Sequence, residues 1–448
     1  MTGRPPLPPG PYLVVGLARS GAAAARVLRE HGEVIGCDAG EPAAAGSLER
    51  VELHLRTDGV ELLDRVRTVV KSPGVPREAP VVAEALARGI EVTGELELAW
   101  RLVPNEVVAV TGTNGKTTTV ELVAAVHRAA GVPVEVAGNV GTPLAALVGE
   151  VDPAATIVCE ASSFQLEDSS AFAPEAAVLL NLAEDHLDRH GSAAAYRAAK
   201  LRAFANQGPG DVAVVPLALA GGAAAAGGAA AAAVDLPGSA RRVTFGAAPG
   251  ADLAEAGDGT LAWLGEPLMP AAEVRLRGAH NRENAMAAAA AALARGIAPD
   301  AVREALRSFA GVPHRLEEVA VRDGVAYVND SKATNVASAA VGIRAFDGGV
   351  HAILGGSLKG GGFRELRPAV EERCRAAYLI GEAADELRRD LDGAVPLRAC
   401  GDLERAVADA SAAARPGDTV LLSPACASYD QYRDFEERGE HFRRLVRG

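Results

Sequence analysis

The sequence predicts an α/β protein of three domains, and three observations predict it. Short apolar runs alternate with amphipathic helical stretches almost from end to end, the pattern of parallel sheets flanked by helices. Glycine-bearing turns follow an apolar run and precede a helical stretch at residues 16–21 and again at 112–115. The length of 448 residues accommodates three domains of roughly 150 residues each.

The elements follow in order. The first domain opens with a buried-strand run at 12–15, a turn at 16–21, a helix to about His31 and a second strand ending at Asp38. Further strand and helix units pass through 69–71 and 90–92 and end in an apolar helix near 96–102. Pro104 precedes a new strand, so the first domain is expected over residues 1–104. The second, 105–311, starts with a strand at 107–110 and a helix from the second turn to about Ala130. Strands near 156–159, 177–180 and 212–215 follow, with helices near 192–205 and 281–294 and several short β-like pieces between 242 and 277. A helix ending near Phe309 leads to Gly311-Val312-Pro313, a hinge. The third domain, 312–448, repeats the alternation, with strands near 325–328, 352–354, 378–380 and 420–422. The first and third domains are expected to be Rossmann-like and the central one to carry a parallel sheet.

Composition excludes several classes. Hydrophobic residues at 49% supply packed cores, and a net charge of −13 disfavours a long nucleic-acid polyanion as partner. Five cysteines, with no CxxC pair among them, fit a reduced, cytoplasmic protein without a structural zinc site. The Pro-rich start lacks the apolar core of a secretory signal. Residues 212–234 carry no charge until Asp235 and are long enough to span a bilayer, but they are mostly Ala and Gly with Pro216 inside. They read as a short strand followed by a surface insertion, not a membrane segment. Only five of the 45 Lys and Arg residues are lysines: Lys71, Lys116, Lys200, Lys332 and Lys359. Arginine serves a solvated face as well as lysine does, so each surviving lysine marks a place where a compact or modifiable amine is needed.

The strongest motif is Thr111-Gly112-Thr113-Asn114-Gly115-Lys116-Thr117-Thr118, between a strand and a helix. Glycines let backbone wrap phosphates, the helix N-terminus offers free N–H groups, Lys116 neutralises phosphate charge and the Thr117 hydroxyl suits Mg²⁺. Val110 takes the first glycine position of the standard spacing, so the loop is a shortened variant, and the central domain is expected to be of the P-loop ATPase type. The turn at 16–21 with Asp38 resembles a dinucleotide fingerprint lacking its middle glycine; closure of a tight turn explains Gly16 and Gly21 equally well. Two polar clusters, 160–165 and 181–188, follow strands where Mg²⁺ ligands belong beside a phosphate loop. Lys200 lies on a helix among arginines, and only an amine can be modified to carry a carboxylate.

Taken with 138–141, 278–284 and Pro313-His314-Arg315, these runs resemble the ATP-dependent Mur ligases of peptidoglycan precursor synthesis. The runs 71–75, 329–335 and 422–428 resemble the branch that adds D-glutamate. The resemblance implies phosphorylation of the L-alanine carboxylate of UDP-N-acetylmuramoyl-L-alanine by ATP, then attack by the amine of D-glutamate. It implies a catalytic set of Lys116, Asn139, His186 and Lys200, with Mg²⁺ held by Thr117, Glu160, His186 and a carbamylated Lys200. ATP would be bound by Gly112, Thr113, Asn114, Gly115, Lys116, Thr117 and Thr118, with Asn281, Asn284, His314, Arg315 and Asp330. Leu17, Asp38, Ser72, Asn139, Gln165 and His186 would hold the nucleotide sugar, and Lys332, Thr334, Lys359, Ser428 and Phe435 the D-glutamate. A monomer whose domains close over small-molecule substrates is the expected working form. A sibling amide ligase, such as a folylpolyglutamate synthase-like enzyme, a nucleotide-dependent switch and a nicotinamide oxidoreductase are the competing classes. The runs at 329–335 and 422–428 argue against the first, and the incomplete turn at 16–21 against the last.

Overall fold

The computed structural model describes residues 3–183, 185–221, 233–276, 278–358 and 362–448. Lys359, Glu184 and most of the Ala/Gly tract, 222–232, therefore lie outside the described residues. Among the described residues the strands gather into three sheets. Tyr12–Val15 (β1), Val34–Asp38 (β2), Glu52–Leu55 (β3), Thr68–Lys71 (β4) and Glu91–Gly94 (β5) form a parallel sheet in the order β3-β2-β1-β4-β5. Successive β1 side chains point to opposite faces: Tyr12 and Val14 pack with Ala22, Ala25 and Leu28, and Leu13 and Val15 with Leu62, Val81 and Ala85. Both faces are covered, which is why the strand reads as an unbroken apolar run.

The second sheet comprises Val107–Thr111 (β6), Val134–Gly138 (β7), Thr156–Glu160 (β8), Ala176–Leu179 (β9), Val212–Pro216 (β10), Arg241–Gly246 (β11), Leu253–Glu255 (β12), Thr260–Trp263 (β13) and Glu266–Pro270 (β14). Its order is β14-β13-β12-β11-β10-β9-β6-β8-β7. The expected parallel pairing holds from β7 to β12, while β12, β13 and β14 pair antiparallel. The chemistry of that reversal is local: Leu264 and Gly265 both take positive φ, 52° and 87°, in a two-residue hairpin turn between β13 and β14. One face of the sheet is continuous with the helix Glu95–Leu102, whose Leu96, Ala99 and Trp100 share a core with Val107, Ile157, Cys159 and Phe172. That shared core makes a single compact unit of Met1–Arg275 and His280–Phe309. The ends of the Ala/Gly tract are tied by a Val234 N–H donated to Leu219 O at 2.8 Å.

A second compact unit, Leu276–Ala279 with Ala310–Gly448, holds the third sheet. Glu317–Arg322 (β15), Val325–Asn329 (β16), Val350–Gly355 (β17), Cys374–Ile380 (β18), Leu397–Gly401 (β19) and Thr419–Leu422 (β20) run in the order β15-β16-β20-β17-β18-β19, parallel except for the β15–β16 pair. The apolar-run reading marks no strand at β3, β7, β15 or β19, and each proves to be a sheet edge. Their residues are mostly part-buried or exposed, in contrast to the uniformly buried β1, β4, β8 and β17. No helix among the described residues is long and apolar enough to cross a membrane.

Candidate active site

The site begins where β6 ends. Gly112 and Gly115 hold φ of 146° and 87°, and a Cβ on Gly115 would lie 2.2 Å from Asn284 Oδ1, so only glycine fits between the loop and the helix Ala279–Ala294. The loop is tied to the neighbouring strand end by Thr113 N–H to Asn181 O at 3.2 Å and Asn114 N–H to Asn181 Oδ1 at 2.9 Å. The helix Lys116–Ala129 then starts directly, with its first N–H groups facing the loop. Lys116 Nζ donates to the Gly112 and Thr113 carbonyls, both at 2.9 Å. Thr117 and Thr118 are buried, and Asn281 and Asn284 are joined at 3.3 Å beside Gly115.

Glu160, the last residue of β8, is buried under this loop. Its Oε2 accepts the Thr117 hydroxyl at 2.8 Å and its Oε1 the Asn139 amide at 3.2 Å. A carboxylate, a hydroxyl and an amide are the hard oxygen donors Mg²⁺ takes, so these residues fit that ion. No group of three or more His, Cys, Asp and Glu among the described residues is arranged as a metal cage. Magnesium held through one or two carboxylates and substrate phosphates does not require one.

Lys200 comes from the helix Ala193–Ala205, whose N-cap Ser192 accepts the Ala195 N–H at 3.1 Å. Its Nζ is buried, donates to Gly112 O at 2.8 Å and lies 4.5 Å from the Tyr196 ring centroid. Burial, and then the neighbouring Lys116 charge, push its pKa down to about 7. His186 also neighbours Tyr196, with ring centroids 6.3 Å apart, and its ring meets Phe164 at 4.8 Å. It is half-exposed and holds a φ of 50°. Lys116, Thr117, Asn139, Glu160, Lys200, Asn281 and Asn284 are thus brought to one place, with His186 at its edge.

The first-sheet residues form a second group. Ser72 donates its hydroxyl to Gly16 O at 2.7 Å, and both Asp38 oxygens accept backbone N–H groups, from Leu17 at 2.7 Å and Gly40 at 2.8 Å. The Leu17 side chain is fully buried in the core, so this residue presents main chain at the turn. A Cβ on Gly21 would meet Gly16 O at 1.8 Å, which makes the glycine a packing requirement of the turn. Gln165 closes a capping box with Ser162 at the start of the short helix Ser163–Leu166. The adjoining Glu95, buried by desolvating walls and raised to about 7, accepts the Ala145 N–H at 2.6 Å.

Within the second unit, Asp330 is buried and accepts Ser423 Oγ at 2.8 Å and the Leu316 N–H at 3.2 Å; burial raises it to about 7. His314, whose pKa is lowered chiefly by burial, sits 2.9 Å from Asn329 Nδ2 and edge-on to Phe435. Arg315 N–H bonds Val312 O at 3.1 Å. Lys332 Nζ lies 5.8 Å from the Phe435 ring centroid, and Thr334 N–H bonds Lys332 O at 2.8 Å. Ser428 is buried and its carbonyl accepts the Tyr432 N–H at 2.8 Å. What joins these pieces is Arg438, 1% exposed, which sequence reading missed. Its guanidinium donates to Ser331 Oγ and O at 2.9 Å and to the Ala427 and Cys426 carbonyls at 3.1 Å. The signal was present: Arg438, Phe442 and Val446 share the buried face of the helix Phe435–Arg447.

The fold and its loop define the class, an α/β phosphate-loop protein. Family models match along the chain: the Mur ligase MurD-like N-terminal domain over residues 11–94, the Mur ligase middle domain over 110–292, and the Mur ligase glutamate ligase domain over 314–426. The UDP-N-acetylmuramoylalanine--D-glutamate ligase of Acidobacterium capsulatum is 43% identical, covering 97% of this chain and 95% of its own. The enzyme of the same name from Anaeromyxobacter dehalogenans is 44% identical, covering 97% and 96%. The chain belongs to the Mur ligase family. Among solved structures, the MurF ligase of Thermotoga maritima in complex with ADP is similar in fold, with a TM-score of 0.57 at 17% identity, covering 93% of this chain and 89% of that one. The UDP-N-acetylmuramate-alanine ligase MurC of the same organism gives 0.56 at 17%, covering 97% and 99%.

Proposed function

We propose that this protein joins D-glutamate to UDP-N-acetylmuramoyl-L-alanine at the expense of ATP, in cytoplasmic peptidoglycan precursor synthesis. The observation that carries this reading is the 43–44% identity, over 97% of the chain, to ligases named for that reaction. The γ-phosphoryl group of ATP passes to the alanine carboxylate, ADP leaves, and the D-glutamate amine attacks the acyl carbon. A C–N bond forms, phosphate departs and the amine gives up a proton.

The residues divide the work. The backbone of 112–118 and the Lys116 ammonium hold the phosphates, with Asn281 and Asn284 behind the loop; His314, Arg315 and Asp330 are assigned to ATP as well. Mg²⁺ supplies charge neutralisation of the transferring phosphoryl group, and Thr117, Glu160 and His186 are the residues that would hold it. Lys200 is assigned as a carbamate: a neutral amine adds CO2, a C–N bond forms and a proton leaves. The burial that lowers its pKa to about 7 supports this, because about half the amine is then neutral at that pH. Asn139 orients Glu160, while Leu17, Asp38, Ser72 and Gln165 serve the nucleotide sugar. Lys332, Thr334, Lys359, Ser428 and Phe435 serve D-glutamate. We assign the domains as 1–104, 105–311 and 312–448 in a monomer with no nucleic-acid or membrane partner.

The test is ADP release by the purified protein with ATP, Mg²⁺ and UDP-N-acetylmuramoyl-L-alanine, adding D-glutamate, L-glutamate or L-lysine in turn. Turnover with D-glutamate alone is expected; turnover with L-lysine and none with D-glutamate overturns the reading.

A further inference from the structure

Lys71 is the surviving lysine for which the reaction gives no task. It ends β4, is 0% exposed, and its Nζ lies 2.7 Å from Asp168 Oδ2 and 3.5 Å from Glu167 Oε1 while donating to Val75 O at 2.8 Å. Arg189 arrives at the same place from the segment that carries His186. Its Nη2 donates to the same Val75 O at 2.9 Å, to Pro73 O at 3.4 Å and to Glu167 Oε1 at 3.1 Å. Lys71 and Arg189 thus meet Glu167 and Asp168 in a buried cluster, with the part-exposed Arg77 Nε 3.8 Å from Asp168 Oδ1 at its rim, and the cluster pins three segments: 72–75 from the first sheet, 163–168, and 186–190.

The cluster continues into the site through stacked rings. The Arg189 guanidinium lies 4.8 Å from the Phe164 ring centroid. Phe164 stacks on His190 at 5.3 Å and 9°, and meets His186 at 4.8 Å. His190 in turn shares a 3.0 Å hydrogen bond with Ser163 Oγ and sits 3.6 Å from Glu167 Oε2. At its other end the loop 72–75 closes on itself through Val75 N–H to Ser72 O at 3.0 Å, and Ser72 holds the Gly16 carbonyl. His186 has positive φ and a half-exposed side chain, so its position depends on what the following residues are fastened to.

We propose that Lys71 and Arg189 are positioning residues: they brace the first-sheet loop that holds the nucleotide sugar against the segment that presents His186, so that both are placed by one buried ion cluster. The inference rests on the function proposed above for its catalytic consequence, but not for the brace itself. It also accounts for lysine at position 71. An ammonium aims three donors at three acceptors in a space without solvent, where a planar guanidinium is wider and its donors diverge.

The experiment reads the brace in two ways on the full chain. In Lys71→Met, hydrogen exchange at the Arg189 and His190 amides, both bonded to His186 O, accelerates about tenfold or more, while the helix Lys116–Ala129 keeps its protection. In steady state, Arg189→Gln raises KM for UDP-N-acetylmuramoyl-L-alanine about tenfold and lowers kcat, with KM for ATP within about twofold. Arg189→Lys recovers most of the loss, and Lys71→Met combined with Arg189→Gln costs little more than the worse single change. Unchanged exchange at 189–190, or an equal rise across the chain, overturns the brace, as does a parallel rise of both KM values. A wild-type protein without D-glutamate-dependent turnover whose Lys71→Met variant still releases 189–190 refutes the functional reading and leaves the brace standing.

Discussion

Replacing Arg438 with methionine keeps an apolar stem of similar length but removes every donor its guanidinium aims at Ser331, Cys426 and Ala427. Hydrogen bonds to a charged group contribute about 1.5 kcal/mol or more each, net of desolvation, and four that share one guanidinium do not add in full. Burial pushes the Arg438 pKa down to about 10, so the guanidinium stays charged at neutral pH. The expected loss of stability is about 3 kcal/mol. In urea denaturation of the full chain followed by circular dichroism, that loss lowers a midpoint by about 1 M at a slope of about 3 kcal/mol/M. Because Ser331 and Ala427 adjoin Lys332 and Ser428, KM for D-glutamate also rises, by about tenfold, under conditions where the variant remains folded. A midpoint within about 0.2 M of the parent together with an unchanged KM for D-glutamate refutes the reasoning.

Other expectations follow from the same geometry. With the Lys200 pKa lowered to about 7, the neutral amine is about one-tenth of the total at pH 6 and about nine-tenths at pH 8. Activity at limiting CO2 therefore rises across that interval, a carbamate signal appears in carbon-13 spectra with labelled bicarbonate, and Lys200→Arg is inactive at every pH; an active Lys200→Arg contradicts the assignment. Glu160→Gln keeps one acceptor oxygen for the Thr117 and Asn139 donors and removes the negative charge, so the Mg²⁺ concentration for half-maximal ADP release rises about tenfold. Arg4 donates to the carbonyls of Trp100, Val103 and Asn105 and pairs with Glu175, across the passage from the first sheet to the second. Arg4→Ala should cost about 1–3 kcal/mol, read as a lower Tm with KM values unchanged.

Central parallel strands and the phosphate loop were legible because a local cause fixes each. A strand buried on both faces is apolar along most of its length, and so the apolar runs of β1, β6, β8 and β17 announce themselves despite Thr111, Glu160 and His351. The edges β3, β7, β15 and β19 face water along part of their length, and no run of apolar residues marks them. Gly115 and Lys116 are dictated by backbone geometry and charge within the loop itself, and Lys200 stood out because the chain elsewhere prefers arginine. Arg438 and the Lys71–Arg189 cluster escaped for the opposite reason. Their partners are mostly main-chain carbonyls, some a few residues away and others more than a hundred, and the spacing of apolar residues that buries Arg438 does not say which carbonyls it meets.

The central claim is that the loop 112–118, with Glu160 and Lys200 beneath it, transfers a phosphoryl group from ATP to the alanine carboxylate before D-glutamate reacts. The most direct measurement is to incubate the protein with ATP, Mg²⁺ and UDP-N-acetylmuramoyl-L-alanine without D-glutamate, then trap the activated carboxyl with borohydride. The account predicts a reduced, alcohol-bearing nucleotide sugar in amounts approaching the enzyme concentration, absent in Lys116→Met. Its absence from the parent protein while D-glutamate-dependent turnover persists, or its undiminished formation by Lys116→Met, would contradict the account.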